Sequence, residues 1–361
     1  MQIKSRLNKL RQVLRKNNIS GILITNPINC SYLSGFTGTD SILLIGLNKA
    51  YFITDFRYTE QAKKEVTGFT IVERGLSESL FESAAKLVGS HKWLQIGFES
   101  DHLSYSSHKR LKKSLGKTNL VSTEKLVETI REIKDDSEIK LIKKAAEIAD
   151  IAFERTIPMI KVSKTEIEIA AWFESESKKL GADKVAFEVI VASGTRGSLP
   201  HGIASRKKFK PGELITIDFG IVYQGYCSDC TRTLVLGQPN EKQMIIYSLV
   251  LQAQLTALQA VKPGVVCKEI DSIARSILEK TGYGNYFGHG LGHGVGREVH
   301  ELPRVSKLGQ TKLVPGMVIT IEPGIYLPNW GGVRIEDLVL VTDKGYKILS
   351  SFPKELISLP I

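Results

Sequence analysis

Short runs of aliphatic and β-branched residues alternate with turn residues through the first 75 positions of the chain. Such runs, bounded by glycine, proline, asparagine or aspartate, are typical of buried strands. Three of them lie at 21–25, 41–45 and 50–54. Apolar residues at helical spacing lie between and after these runs, at about 57–66, 77–88 and 106–115. The pattern predicts an α/β domain of about 120 residues.

The first eighteen residues have helical periodicity, with Ile3, Leu7, Leu10 and Leu14 on one face and basic residues around them. Their charges are scattered and no apolar run follows, so the segment does not resemble a secretory signal. A basic amphipathic helix can pack on its own domain or lie on an acidic membrane surface. We expect the former.

The second part of the chain begins with a charged stretch from Glu128 to Lys144 that has helical spacing. Two long helices are predicted up to about residue 181, and strands and loops after them. Further helices are predicted near 240–261 and 267–281. A length of 361 residues favours two domains. We place the boundary near residues 122–130, which gives domains 1–125 and 126–361.

An internal repeat in the second domain provides the main functional signal. Pro211–Ile221 and Pro315–Ile325 share the pattern P-G-x-x-I-T-I-acid-x-G-I, in which the acid is Asp218 or Glu322. Each copy then turns and returns with a second acid, followed by another β-rich run. Two hairpins of one design predict a pseudo-twofold domain in which each half contributes two carboxylates.

The turn in the first copy fixes the relation between its acids. Gln224-Gly225 is a favourable two-residue hairpin turn, and it would pair position 218 with position 231. Asp229 is then the diagonal neighbour of Asp218, roughly 7–8 Å away along the backbone. Strands disfavour aspartate, and two inward carboxylates repel unless a cation lies between them. Glu336 takes the place of Asp229 in the second copy, so a metal site is predicted.

A glycine-rich segment between the two hairpins carries His289, His293 and His300. Glycine lets a backbone approach closely, as a loop that delivers imidazoles to a buried site requires. Four carboxylates with an imidazole favour Mn(II), Co(II) or Zn(II) in a dinuclear centre. The alternative of a redox or zinc pair at Cys227-x-x-Cys230 is disfavoured, because positions i and i+3 of a strand point to opposite faces.

Composition narrows the class of protein. The net charge of +11 permits a nucleic-acid or anionic-surface partner, but the basic residues are dispersed and match no DNA-binding motif. A lysine-rich solvated surface is the simpler interpretation. No stretch has the roughly 18 to 20 apolar residues of a membrane span. Four cysteines do not form a disulfide framework in a chain of this length, so the expected compartment is the cytoplasm.

With these motifs in place, nearly the whole chain resembles the pita-bread metallopeptidases, the family of aminopeptidase P, prolidase and methionine aminopeptidase. The first 120 or so residues resemble the creatinase-type domain of the proline-specific branch, notably at 32–36 and 54–58. The resemblance implies a creatinase-like N-terminal domain followed by a pita-bread catalytic domain.

The resemblance also implies roles for particular residues. His201, His289 and His300 fall on substrate-handling positions, and Glu322 would also shuttle a proton. Arg334 falls near the ligands at the substrate site, and Arg304 falls where prolidases hold a dipeptide carboxylate. The implied ligands of two divalent ions, most simply Mn(II), are Asp218, Asp229, His293, Glu322 and Glu336.

Three alternatives remain open at this point. A methionine aminopeptidase would share the ligands, but the short spacing between Glu322 and Glu336 and the extra N-terminal domain favour specificity for proline at the second position. Xaa-Pro aminopeptidase and Xaa-Pro dipeptidase are not distinguished. A non-catalytic, basic, nucleic-acid-binding member of the fold is disfavoured by the intact ligands. The resemblance further implies a homodimer.

Overall fold

The computed structural model describes residues 2–361, and the chain divides into two compact units. The first ends at Arg131 and the second comprises Glu132–Ile361. Both are mixtures of helices and strands. None of the helices formed by residues 2–361 is long and apolar enough to cross a membrane.

The first unit is built on a six-stranded mixed sheet in the order β4-β3-β2-β1-β5-β6. Its strands are β1 Gly21–Ile24, β2 Ser41–Gly46, β3 Ala50–Thr54, β4 Thr70–Glu73, β5 Gln95–Glu99 and β6 Asn119–Thr123. Its helices are α1 Gln2–Lys16, α2 Pro27–Ser34, α3 Thr59–Glu65, α4 Leu80–Ser90, α5 Tyr105–Leu115 and α6 Leu126–Arg131. The strands predicted at 21–25, 41–45 and 50–54 are confirmed as β1, β2 and β3.

Helix α1 packs on its own unit, as the sequence predicts. Leu7, Leu10 and Leu14 are buried in the same apolar cluster as Ile22 of β1 and Phe52 of β3. The apolar face that could have met a membrane is therefore covered by the chain itself.

The second unit contains four helices and fourteen strands arranged in four sheets. The helices are α7 Asp136–Thr156, α8 Glu166–Lys179, α9 Glu241–Gln259 and α10 Cys267–Lys280. The strands are β7 Lys184–Val185, β8 Ile190–Ser193, β9 Leu214–Phe219, β10 Ile221–Tyr223, β11 Tyr226–Cys227, β12 Cys230–Leu236, β13 Gly292–Gly294, β14 Glu301–Val305, β15 Val318–Ile321, β16 Gly324–Leu327, β17 Gly331–Arg334, β18 Asp337–Val341, β19 Tyr346–Ile348 and β20 Ser358–Leu359.

The charged stretch predicted as helical forms two helices, α6 and α7, with a break between them. Asp135 is the N-cap residue at the start of α7, because its side chain accepts hydrogen bonds from the backbone N–H groups of Ser137 and Glu138. Glu138 completes a capping box by accepting from the N–H of Asp135. Periodicity alone does not locate such a cap inside a continuous helical pattern.

The two sequence repeats occupy equivalent places in the second unit. Helices α7 and α8 share an apolar cluster with strands β9 and β12, and α9 and α10 share another with β15 and β18. In β9, Ile215, Ile217 and Phe219 all enter the first cluster. Strand alternation therefore turns Thr216 and Asp218 to the opposite face.

Candidate metal centre

The first hairpin has the predicted register. Asp218 of β9 pairs with Thr231 of β12, and Tyr223 pairs with Tyr226 across the Gln224-Gly225 turn. Both turn residues have positive φ, 47° and 76°, as a turn that follows the twist of the strands requires. Asp229 lies just before β12, two residues from the partner of Asp218.

The second hairpin brings its acids together in a different way. Strands β15 and β18 pair Ile321 with Asp337, and β16 and β17 pair Gly324 with Arg334. Both pairings share one register, which places Glu322 opposite Glu336 in the gap between them. The second copy thus sets its acids face to face, whereas the first sets them diagonally.

His293, in the short strand β13, stands over these acids. Its Nε2 lies 3.6 Å from Oδ2 of Asp229 and 3.3 Å from Oε1 of Glu322. Its Nδ1 faces the carbonyl oxygen of Gly294 at 3.1 Å, which orients the ring with Nε2 toward the acids. Asp229, His293 and Glu336 each offer one ligand atom within 4.8 Å of the others, a spacing suited to a metal ion.

Arg334 connects the two hairpins beneath the acids. The guanidinium donates from Nη2 to Oδ2 of Asp218 at 2.7 Å and from Nε to Oγ1 of Thr231 at 3.0 Å. Thr231 in turn donates to Oε2 of Glu336 at 2.7 Å. The side chain of Arg334 is 4 % exposed. The buried guanidinium of Arg334 therefore binds Asp218 of the first repeat directly. It is linked to Glu336 of the second repeat through the hydroxyl of Thr231.

Burial and mutual repulsion dominate the electrostatics of the acids. Burial raises the pKa of Asp229 and of Glu336 well above the ordinary carboxyl range, and the neighbouring carboxylates raise both further. Oδ1 of Asp218 is buried without a hydrogen-bond partner among the described residues. Four carboxylates therefore meet around one guanidinium. A divalent cation would offset this excess of negative charge and satisfy that oxygen, so the donor set fits a hard metal ion.

Glu322 and His293, in contrast to Asp229 and Glu336, are stabilised in their charged forms. Burial disfavours the charged form of Glu322, but the hydrogen bond and positive charge of His293 outweigh it and lower the pKa of Glu322 to about 2. Burial likewise disfavours the imidazolium of His293, and the bond to Glu322 reverses that and raises its pKa. Glu322 therefore stays ionised and its oxygens remain available as ligands.

Three more histidines line the same cavity of about 450 Å³. The Nε2 of His289 lies 2.9 Å from the hydroxyl of Tyr326, and burial lowers the pKa of this imidazole. The ring of His300 packs 4.3 Å from that of His293, and burial, then the charge of His293, lowers its pKa. His201 is exposed at the rim. The structure thus gathers all four predicted histidines around the acids.

Arg304 stands apart from this group. It lies on β14 directly opposite His293 of β13, but its side chain is exposed and is not among the cavity-lining residues. A role in holding a substrate carboxylate stays a prediction for this residue.

Comparison with known proteins decides the class of this site. Residues 140–343 match the model of metallopeptidase family M24, and residues 6–133 match the creatinase/prolidase N-terminal domain. The chain belongs to metallopeptidase family M24. The predicted architecture of a creatinase-type domain followed by a pita-bread domain is confirmed, and the chain is a metallopeptidase whose family implies divalent metal ions.

Individual relatives of this M24 peptidase are similar over nearly their whole length. The Xaa-Pro dipeptidase of Pyrococcus horikoshii is 44 % identical, covering 98 % of this chain and 99 % of its own. The solved Xaa-Pro dipeptidase from Bacillus anthracis is 44 % identical with a TM-score of 0.96, over 99 % and 100 %. The X-Pro aminopeptidase from Thermotoga maritima is 40 % identical with a TM-score of 0.89, over 96 % and 100 %.

Several residues of the site of this M24 peptidase were not predicted from its sequence. Thr231 and Tyr326 bind the supporting arginine, and their signal was their position inside the duplicated hairpins. Phe187, Glu188 and Val299 line the cavity from irregular segments. No spacing rule marks such residues, because loops reach a site through tertiary structure.

Proposed function

We propose that this M24 peptidase is a dinuclear metal-dependent Xaa-Pro dipeptidase, with Xaa-Pro aminopeptidase as the closest alternative. The observation that carries the proposal is the convergence of four carboxylates and His293 in a cavity lined by three further histidines. Relatives of 40 to 44 % identity with Xaa-Pro names support the specificity.

In this proposal the metal ions, most simply Mn(II) with Co(II) or Zn(II) as alternatives, are held by five side chains. These are Asp218, Asp229, His293, Glu322 and Glu336. Two bound cations would polarise the scissile carbonyl and lower the pKa of a water enough for attack near neutral pH. The ionised state of Glu322 and the orientation of His293 by Gly294 prepare these ligands for cations.

The chain's own side chains would handle the substrate. A neutral His300, favoured by its lowered pKa, can donate a hydrogen bond to the oxygen that gains negative charge in the transition state. Glu322 would accept a proton from the attacking water and pass it to the leaving nitrogen. His289, held by Tyr326, and His201 would contact the proline ring, whose nitrogen has no N–H for a peptidase to bind.

Metal content and hydrolysis test the ligand assignment together. We expect His293→Ala and Asp229→Ala each to lose most of the bound metal and to abolish hydrolysis of Met-Pro. His102→Ala, which removes an exposed histidine of the first unit, is the matched control. If either ligand variant kept near-normal metal and activity, the assignment of the site would be wrong.

Substrate length separates the two proline-specific activities. A cavity of about 450 Å³ suits a dipeptide, and the exposed Arg304, on the strand that pairs with the strand of His293, is the proposed contact for its free carboxylate. The assay compares Xaa-Pro with Xaa-Pro-Yaa in the presence of Mn(II). Equal kcat/KM on the two would favour the aminopeptidase and reject the dipeptidase.

The family resemblance also leads us to propose a homodimer that works in the cytoplasm. Light scattering of the purified protein tests the dimer, and a mass of one chain, 40.0 kDa, would reject it. Metal analysis of protein purified without chelator tests Mn(II) as the native ion.

A further inference from the structure

We propose that Lys134 and Glu301 form a buried ion pair that positions His300 for catalysis. The inference rests on the proposed function, which gives His300 a role in the transition state. Neither residue lines the cavity, so both would act through the loop that carries the histidine.

The carboxylate of Glu301 organises that loop from within. Glu301 follows His300 directly, and its side chain folds back so that Oε1 accepts from the backbone N–H groups of Arg297 and Glu298, at 2.8 and 3.0 Å. A Cβ at Gly296 would lie 2.6 Å from Oε2 of Glu301, so a larger residue at position 296 would displace this carboxylate from its present position. The path of residues 296–301 is therefore set around one carboxylate.

Lys134 holds the same carboxylate from the other side. Its Nζ lies 3.4 Å from Oε2 of Glu301, and the two side chains are 1 % and 6 % exposed. The backbone N–H of Lys134 donates to the carbonyl of Gly316 at 2.9 Å. Gly316 precedes β15, the strand that leads to Glu322. The ion pair therefore ties the His300 loop to the start of the second repeat.

The position of this loop determines where the imidazole of His300 stands. Its ring packs 4.3 Å from the ring of His293, and Val299 beside it also lines the cavity. A hydrogen bond to developing charge depends steeply on placement, and an error of 1 Å can cost about 100-fold in rate. Removing the ammonium of Lys134 weakens the compensation of the buried Glu301 carboxylate, so we expect the loop to move.

A double-mutant cycle on the metal-loaded enzyme with Met-Pro tests the pair. We expect His300→Ala to lower kcat about 100-fold, as loss of a transition-state donor does. Lys134→Met should lower kcat about tenfold in the parent, and less than about twofold in the His300→Ala background, because coupled residues are not additive. Metal content should stay unchanged, and Lys134→Arg should restore most of kcat.

Two further variants keep the test decisive. Glu301→Gln preserves the size of the side chain and should give the same cycle if Lys134→Met does not fold. Ile169→Ala, a core truncation on α8, matches the loss of stability and should leave kcat near that of the parent.

Each outcome decides a separate claim. Equal losses of kcat from Lys134→Met in both backgrounds, or no loss in either, would overturn the positioning role and leave the proposed function intact. Full activity of His300→Ala would instead reject the role of His300 and the inference with it.

Discussion

Arg334 of the second repeat and Asp218 of the first are joined by a hydrogen bond of 2.7 Å between Nη2 and Oδ2. This contact crosses the pseudo-twofold relation, and it compensates one of four clustered carboxylates with a fixed positive charge. Arg334 also donates to the hydroxyl of Tyr326 at 3.0 Å, and Tyr326 contacts His289. One guanidinium thus orients both a proposed ligand and a proposed substrate contact.

Replacing Arg334 should lower the affinity for metal while the fold is retained. We expect Arg334→Lys to lower metal affinity about 10- to 100-fold, the usual cost of losing a partner that orients a ligand. A lysine keeps the charge but cannot reach Asp218, Thr231 and Tyr326 together. Calorimetric titration of metal-free protein with Mn(II) measures the change. Arg110→Lys, exposed on α5, is the control, and equal affinities of the two variants would contradict the prediction.

The raised pKa values of Asp229 and Glu336 predict how stability without metal depends on pH. In the folded chain these groups keep protons that the unfolded chain releases above the ordinary values of 3.8 and 4.5. The folded state then binds more protons, so the free energy of unfolding falls as pH rises from about 5 to 7. Glu322, with its pKa lowered to about 2, is ionised in the folded state throughout this window. The raised pKa of His293 adds to the fall above its ordinary value of 6.5, and the lowered pKa values of His289 and His300 oppose the fall below that value.

Bound metal should remove that dependence, since a cation needs deprotonated ligands. We therefore expect the difference in Tm between Mn(II)-loaded and metal-free protein to grow between pH 5 and pH 7. Differential scanning fluorimetry with and without chelator measures it. Asp229→Asn should flatten the slope of the metal-free protein, and an equal slope in that variant would contradict the assignment.

Glu188 should influence which residue is accepted before proline. It lines the cavity beside Phe187 and makes no hydrogen bond or ion pair with the residues that the structure describes. An exposed carboxylate attracts a basic side chain by up to about 1 kcal/mol. We expect Glu188→Gln to reduce the kcat/KM ratio of Lys-Pro to Glu-Pro about threefold, most clearly at low salt.

Two controls accompany this measurement: a substrate with an uncharged first side chain, and the same substitution at a glutamate outside the cavity. Leu-Pro should change little in Glu188→Gln, and Glu174→Gln, an exposed position on α8, should leave all three substrates unchanged. A uniform change across Lys-Pro, Leu-Pro and Glu-Pro would show that Glu188 does not contact the variable side chain.

The duplicated hairpins could be predicted from sequence because their signal is local. The Gln224-Gly225 turn sets the register, and the register sets which residue faces Asp218. Strand alternation then decides which side chains are buried in the apolar cluster. The arrangement of Glu322 and Glu336 could not be predicted in this way, because it depends on two short strand pairs that share one register.

Contacts between segments that are far apart in the chain could not be predicted from the sequence. Arg334 lies 116 residues from Asp218, and Lys134 lies more than 160 residues before Glu301. Neither pairing produces a periodic pattern in the sequence, because each depends on how distant segments of the second unit pack together. The division of the charged stretch into α6 and α7 was missed for a smaller reason, a single capping aspartate at position 135.

Arg304 provides a test of dipeptide recognition. Arg304 pairs with His293 across two strands, and if its exposed side chain binds the carboxylate of a dipeptide, the charge-assisted contact contributes about 1.5 to 3 kcal/mol. We expect Arg304→Met to raise KM for Met-Pro about tenfold or more and to leave Met-Pro-amide, which has no carboxylate, within about twofold. Lys307→Met, an exposed cation three residues away, is the matched control. If the acid and the amide responded equally to Arg304→Met, the arginine would not bind the carboxylate, and selection of dipeptides would have to come from the walls of the cavity.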